Sequence, residues 1–172
     1  MSYTIDANVL LYASDESSTV HTKARAFVQR MADGPEIAYF FWPTVMAYLR
    51  IATHPAVLAR PLTAVEAIGN VDQLLARPHV RTTGEQERFW DRYRAVSEDA
   101  VPSGNLVADA HVVALMLESD VRTIWTRDRD YRRFAGIEVR DPFAKVGFRP
   151  SPLRPETATK PGRCGRGSVV AR

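Results

Sequence analysis

Four aspartates could do chemistry together: Asp6, Asp109, Asp128 and Asp130. Asp6 directly follows Tyr3-Thr4-Ile5, a short run that reads as a strand. Asp128 and Asp130 follow Thr123-Ile124-Trp125, a second such run, and Asp109 falls in the first turn or so of a helix introduced by Ser103-Gly104-Asn105. Two carboxylates ~4 Å apart repel by about 4 kcal/mol at an effective dielectric of 20. Crowded acids must therefore take up protons, counter-charges or metal. Hard oxygen ligands select Mg2+ or Mn2+, which bind through one or two carboxylates and keep waters. The open positions suit a phosphate oxygen and an attacking water, which is the chemistry of metal-assisted phosphodiester hydrolysis. Any one of these aspartates alone is more often a cap or turn residue. The expectation rests on their joint placement at strand ends.

The elements that must position them alternate in type. After the first strand, Val9 to Ala13 reads as a short helical segment and His21 to Ala32 as a helix, with Ala24, Phe27, Val28 and Met31 on one face. Ile37 to Phe41 reads as a strand, and Pro43 suits the first turn of a helix running to about Thr53. Thr63 and Glu66 form a capping box for a helix to Ala76. Arg81 to Thr83 reads as a weak strand or loop, and Glu85 to Asp99 as a charged amphipathic helix. Asn105 then caps Leu106 to Glu118, whose Leu106, Ala110, Val113 and Leu117 make one apolar stripe. A strand over Arg122 to Trp125, a short helix around Asp130 to Phe134 and a strand Glu138-Val139-Arg140 complete the order. Strands alternating with helices predict an α/β fold with a mostly parallel central sheet. Such sheets place their sites beyond the carboxyl ends of the strands. Parallel first and penultimate strands would bring Asp6 and Asp128 together, with Asp109 at the same edge.

Composition narrows the function classes. The chain has 172 residues, 45% hydrophobic and 25% charged, enough to bury a core in one domain. The single cysteine, Cys164, excludes an internal disulfide and a multi-cysteine zinc site. The start, MSYTIDANVL, lacks the basic and apolar regions of a secretory signal, and no stretch is apolar enough to span a membrane. The expected compartment is the cytoplasm. The net charge of +3 is unevenly spread. Residues 145–172 hold seven basic residues and one acid, a charge of +6, which leaves −3 for residues 1–144. The last segment is rich in Pro, Gly, Arg and Ser and has no apolar periodicity. It is expected to be a basic, disordered tail behind a single domain over 1–144. A basic tail can also attract RNA without sequence preference.

Four segments resemble the PIN-domain family, specifically VapC-type toxins: IDANVLLYA at 5–13, WPTVMAYLRIATHPAV at 42–57, GNLVADAHVVAL at 104–115 and TRDRDYRRFAGIEV at 126–139. They occur in the family's order and spacing. The resemblance implies a three-layer α/β/α fold and Mg2+- or Mn2+-dependent endoribonuclease activity on RNA. It also implies a small VapB-like antitoxin partner and a homodimer. Carried over position by position, Asp6 and Asp109 match the core metal ligands and Asp128 the later acid, with Asp130 as a neighbour that assists. Asn8 and Asn105 match supporting polar positions. One position departs: Ala47 stands before Tyr48-Leu49-Arg50, where the family usually has a glutamate. That removes one carboxylate, which Glu98 or Asp99 would replace only by reaching in from a loop.

Other residues invite milder readings. His21, His54, His79 and His111 lack metal-ligand spacing, and His111, two positions from Asp109, points to a different helix face. Arg50, Arg127, Arg129, Arg132 and Arg133 have the chemistry to contact phosphates, although each alone is more often solvated. Phe40, Phe41 and Trp42 are expected to be buried at a strand end, and Trp90 with Tyr93 to pack on a helix. Two rival functions follow. The missing glutamate could mark a catalytically weakened module that binds RNA or antitoxin. A haloacid-dehalogenase-like phosphatase would need an aspartate where Asn8 stands.

Overall fold

The computed structural model describes residues 2–144. The expected tail, 145–172, lies outside the described residues. The elements follow the predicted order closely: β1 (Ser2–Ile5), α1 (Ala7–Ser14), α2 (His21–Asp33), β2 (Ile37–Phe41), α3 (Trp42–Ala52), α4 (Ala64–Leu75), β3 (Val80–Thr83), α5 (Phe89–Ala100), α6 (Leu106–Glu118), β4 (Thr123–Trp125) and β5 (Glu138–Arg140). A 3-10 turn, Asp130–Arg133, separates the last two strands.

All neighbouring strands are parallel, in the order β3-β2-β1-β4-β5. Parallel strands are covered on both faces, and the apolar runs of β1 and β4 are accordingly buried. One core joins β1 and β2 to the helices α1 to α4, through Phe27, Met31, Val45, Tyr48 and Val71. The other joins Phe41 and Ile124 to α5 and α6, through Val96, Val113, Leu115 and Met116. The result is the expected three-layer α/β/α arrangement. The chain builds outward from β1 to β3, then returns to the opposite side of β1 as β4. The point between β1 and β4 is thus the topological switch, where open α/β sheets form their crevice.

Three local expectations change. The charged helix begins at Phe89 rather than Glu85, because the preceding segment docks on α6 instead of coiling. The amides of Gln86 and Arg88 donate to the Glu118 carboxylate at 3.1 and 2.9 Å, and Glu85 meets His111 at 2.7 Å. Asn105 stands at the N-cap of α6, but its side chain makes no capping bond. The turn is closed by backbone instead, with Leu106 N donating to Ser103 O and Val107 N to Gly104 O. Gly104 takes φ +56 there, a left-handed conformation that favours glycine. Finally, α6 is buried nearly all round, at Leu106, Ala110 and every residue from Val112 to Met116, rather than along one stripe.

Candidate active site

β1 and β4 pair with Ile5 opposite Trp125, so the next residues, Asp6 and Thr126, emerge side by side. The Asp6 amide donates to Trp125 O at 3.1 Å and extends the ladder by one bond. The Asp6 backbone is still extended, at φ −78 and ψ 151, and α1 starts immediately after it. Its carboxylate is therefore pinned at the junction of strand and helix. Thr126, only 2% exposed, donates its hydroxyl to Asp6 Oδ2 at 2.7 Å. Thr126 Oγ1 in turn accepts from Asn8 Nδ2 at 3.1 Å and from the Asp128 amide at 2.9 Å. One threonine hydroxyl thus ties the end of β1, the first turn of α1 and the loop after β4.

Above this floor, α6 delivers Asp109 from its first turn. The loop after β4 delivers Asp128, and the 3-10 turn delivers Asp130. Asp128 Oδ1 accepts the Asp130 amide at 2.9 Å, which fixes the turn between them. Asp109, Asp128 and Asp130 each bring one carboxylate oxygen into a group whose members all lie within 4.8 Å of one another. Asp6 is not one of these three, but its charge reaches Asp109 and raises it.

The electrostatics agree with crowding. Burial pushes the Asp109 carboxyl up to about 6, the charges of Asp128 and Asp6 push the same way, and a hydrogen bond from the Tyr131 hydroxyl opposes them. Burial also raises Asp6, against the Thr126 hydrogen bond. The Tyr131 phenol is pushed well up, by burial first and then by the charges of Asp6 and Asp109. It therefore stays a hydrogen-bond donor. Among the described residues no Lys or Arg forms an ion pair with these acids. Three oxygen donors, with no ion-paired cation among the described residues, fit a hard divalent ion.

The remaining candidates fall into place around this centre. Asn8 joins it through Thr126, while Asn105 sits exposed at the head of α6. Ala47 is half-buried against the first core and adds no carboxylate. Glu98 and Asp99 lie exposed on α5, on a helix rather than a loop, and join no acidic group. The four histidines are occupied elsewhere: His21 with Tyr12 O, His54 with the Ala56 amide, His79 with Met31 O and His111 with Glu85. Phe40 and Phe41 are buried, whereas Trp42 remains 42% exposed. Trp90 and Tyr93 stack at 5.6 Å. Sequence reasoning missed Thr126 and Tyr131. The signal available for Thr126 was its register, one residue past the strand end that faces Asp6. A cavity of about 320 Å³ lies elsewhere, between α1, α2, α3 and α4. The acids form an open cluster rather than a deep pocket.

Comparison with known proteins agrees with this geometry. A family model described as PIN domain matches residues 3–137. Ribonuclease VapC48 of Mycobacterium tuberculosis is 47% identical over 144 residues, which is 84% of this chain and 99% of that protein. Ribonuclease VapC43 of the same organism is 31% identical over 139 residues, 81% of this chain and 94% of that one. Among solved structures, VapBC2 from Rickettsia felis, bound to a promoter DNA fragment, superposes with a TM-score of 0.57 at 12% identity, covering 82% of this chain and 98% of that one. Mycobacterium tuberculosis VapC20, a sarcin-ricin loop cleaving toxin, gives 0.57 at 14% identity, covering 80% and 98%. These structural likenesses speak for the fold, and the sequence matches speak for descent. The chain belongs to the PIN domain family and, within it, to the VapC ribonucleases.

Proposed function

We propose that the chain is a Mg2+-dependent endoribonuclease toxin, with Mn2+ as an alternative ion, residues 1–144 as its nuclease domain and a VapB-like antitoxin as its inhibitor. The observation that carries the reading is the convergence of Asp109, Asp128 and Asp130 within 4.8 Å above the Asp6–Thr126 floor. Asp6, Asp109 and Asp128 would hold the ion, with Asp130 beside them. A bound ion would polarise a phosphoryl oxygen and make a nearby water more acidic. The chain's own residues do the rest. Thr126 fixes one oxygen of Asp6, and the Tyr131 hydroxyl favours the charged form of Asp109. Asp128 and Asp130 are exposed, so solvent reaches them, and on this reading Asp128 would orient the attacking water or accept its proton. Asp6→Ala and Asp109→Ala should each abolish cleavage of RNA in the presence of Mg2+, with unchanged circular dichroism. Excess EDTA should do the same. Full activity in either variant, or in EDTA, overturns the scheme.

Ala47 favours a second reading, a weakened nuclease that mainly binds RNA or antitoxin, since α3 supplies no carboxylate. Turnover of RNA in excess over the protein with Mn2+ separates the two. The cavity between α1 and α4 offers a seat for an antitoxin segment. Leu62, Val71 and Leu74 give it apolar walls, and Arg25 and Arg77, without an ion pair among the described residues, suit an acidic stretch. Trp42 and Met46, exposed one turn apart on α3, support a homodimer, which light scattering would test. No helix among the described residues is long and apolar enough to cross a membrane, and the cytoplasm, where RNA is plentiful, is the proposed compartment.

A further inference from the structure

The arginine next to the acids is held in an unusual way. Arg127 sits between Thr126 and Asp128 in the loop after β4. Its guanidinium carbon lies 6.0 Å from the centroid of the Tyr12 ring on α1 and 5.8 Å from that of Phe143. The two rings meet edge to face, with centroids 6.2 Å apart. Phe143 is itself placed by a bond from its amide to Asp141 Oδ1 at 2.8 Å. Three separate stretches of chain thus converge on one exposed cation.

Among the described residues Arg127 has no ion pair and no hydrogen bond to its five donors. The other arginines near the site differ. Arg140 lies over Trp125 but pairs with Glu138 at 2.7 Å. Arg50, Arg129, Arg132 and Arg133 are exposed and have neither ring nor ion partner there. A guanidinium bedded on aromatic rings loses less freedom when it grips a ligand, and its planar fork matches two phosphate oxygens. Residues 1–144 carry −3 in total, so an RNA strand approaching the acids needs a fixed cation at their rim. Arg127 forms no ion pair with any carboxylate of the cluster, so its guanidinium donors stay open to a ligand.

We infer that Arg127, clamped between Tyr12 and Phe143, is a substrate-positioning residue that binds a backbone phosphate of the RNA next to the one being cut. The inference rests on the nuclease reading for the identity of the ligand. It assigns Arg127 no part in the bond-breaking step.

The test uses the full chain and a labelled single-stranded RNA oligonucleotide of mixed sequence. Binding is followed by anisotropy in EDTA across a range of salt, and cleavage by KM and kcat with Mg2+. Arg127→Gln should flatten the slope of log K against log salt by about 0.7, the value of one lost contact on a single strand. It should raise KM about tenfold at low salt and leave kcat within about twofold. Arg127→Lys should keep the salt slope. Tyr12→Leu should also keep it while weakening binding about threefold, since the charge remains and its bed is lost. An unchanged slope and KM in Arg127→Gln, with only a lowered Tm, would overturn the inference and leave Arg127 as a brace for the last described residues. If the unaltered chain binds RNA but never cuts it, the nuclease reading fails, while the slope still decides the phosphate contact.

Discussion

Thr126 has no spare hydrogen-bonding capacity: its hydroxyl donates to Asp6 and accepts from Asn8 and from the Asp128 amide. Removing the oxygen while keeping the shape, as in Thr126→Val, should free Asp6 to rotate and release the Asp128 loop. Supporting residues of this kind typically change metal affinity or activity by about 10–100-fold. That loss, measured as kcat/KM on RNA with the fold retained, is expected here, and near-normal activity would deny Thr126 its part. Asp109 carries the clearest pH signature. Its ordinary value is 3.8 and its folded value about 6, so between these the folded state binds more protons than the unfolded one. Its contribution to stability therefore falls as pH rises from 3.8 to about 6 and is lowest above that. A divalent ion relieves the same repulsion, but only when the carboxylates are ionised. Thermal unfolding of the metal-free chain should show Mg2+ raising Tm clearly at about pH 7.5 and little at about pH 5. Equal shifts at both would argue that the ion binds somewhere other than these acids. The acids were legible in the sequence because strand ends can be read from apolar runs. Tyr131 was not, since a buried tyrosine in a short turn looks like ordinary packing until its hydroxyl is seen against Asp109.

At the scale of elements, periodicity predicted positions better than environments. The helix over Leu106–Glu118 was read as having one apolar stripe, yet it is buried on most sides, because α5 covers what the sheet does not. Its small residues, Ala110 and Ala114, both 0% exposed, carry little signal about which way they face. The late start of α5 was equally hidden, since it depends on Glu118, about thirty positions away in sequence, accepting two amides. The end of α5 shows a local conflict that a sequence does not display. Val101 closes that helix at φ 44, and its side chain is 75% exposed. A β-branched residue gains nothing there and bears the left-handed penalty of about 1–2 kcal/mol. Glycine avoids it but loses about 0.5–1 kcal/mol through the unfolded chain. Val101→Gly should therefore stabilise the protein by about 0.5–1 kcal/mol, a rise in Tm of roughly 1–4 °C. A lower Tm would mean that Val101 holds the loop leading to Asp109 in some way its exposure does not reveal.

At the scale of the molecule, the sequence allowed the first and fourth strands to be neighbours but did not require it; pairing is decided by which apolar faces the helices can cover, which is a property of the whole chain. The distribution of charge, in contrast, needs no structure. The described fold holds the acids and a net negative charge, while residues 145–172 hold +6. RNA must approach a surface that repels it on average, and each phosphate neutralised on a single strand contributes about 0.7 to the salt slope of binding. A chain ending at Ala144 should keep the Tm of the full chain, because the two cores lie within the described residues. It should bind RNA more weakly at low salt and with a slope smaller by as much as about 4. Its kcat at saturating RNA should be unchanged, because the acids, Thr126 and Tyr131 all remain. The decisive comparison is between the truncated chain and the full chain carrying Arg127→Gln. If the tail supplies long-range attraction and Arg127 a fixed contact, the first loses slope without losing the position of cutting, and the second blurs where the RNA is cut. Equal slopes for the full and shortened chains would place the attraction for RNA in the fold itself and leave the basic segment without a part in substrate capture.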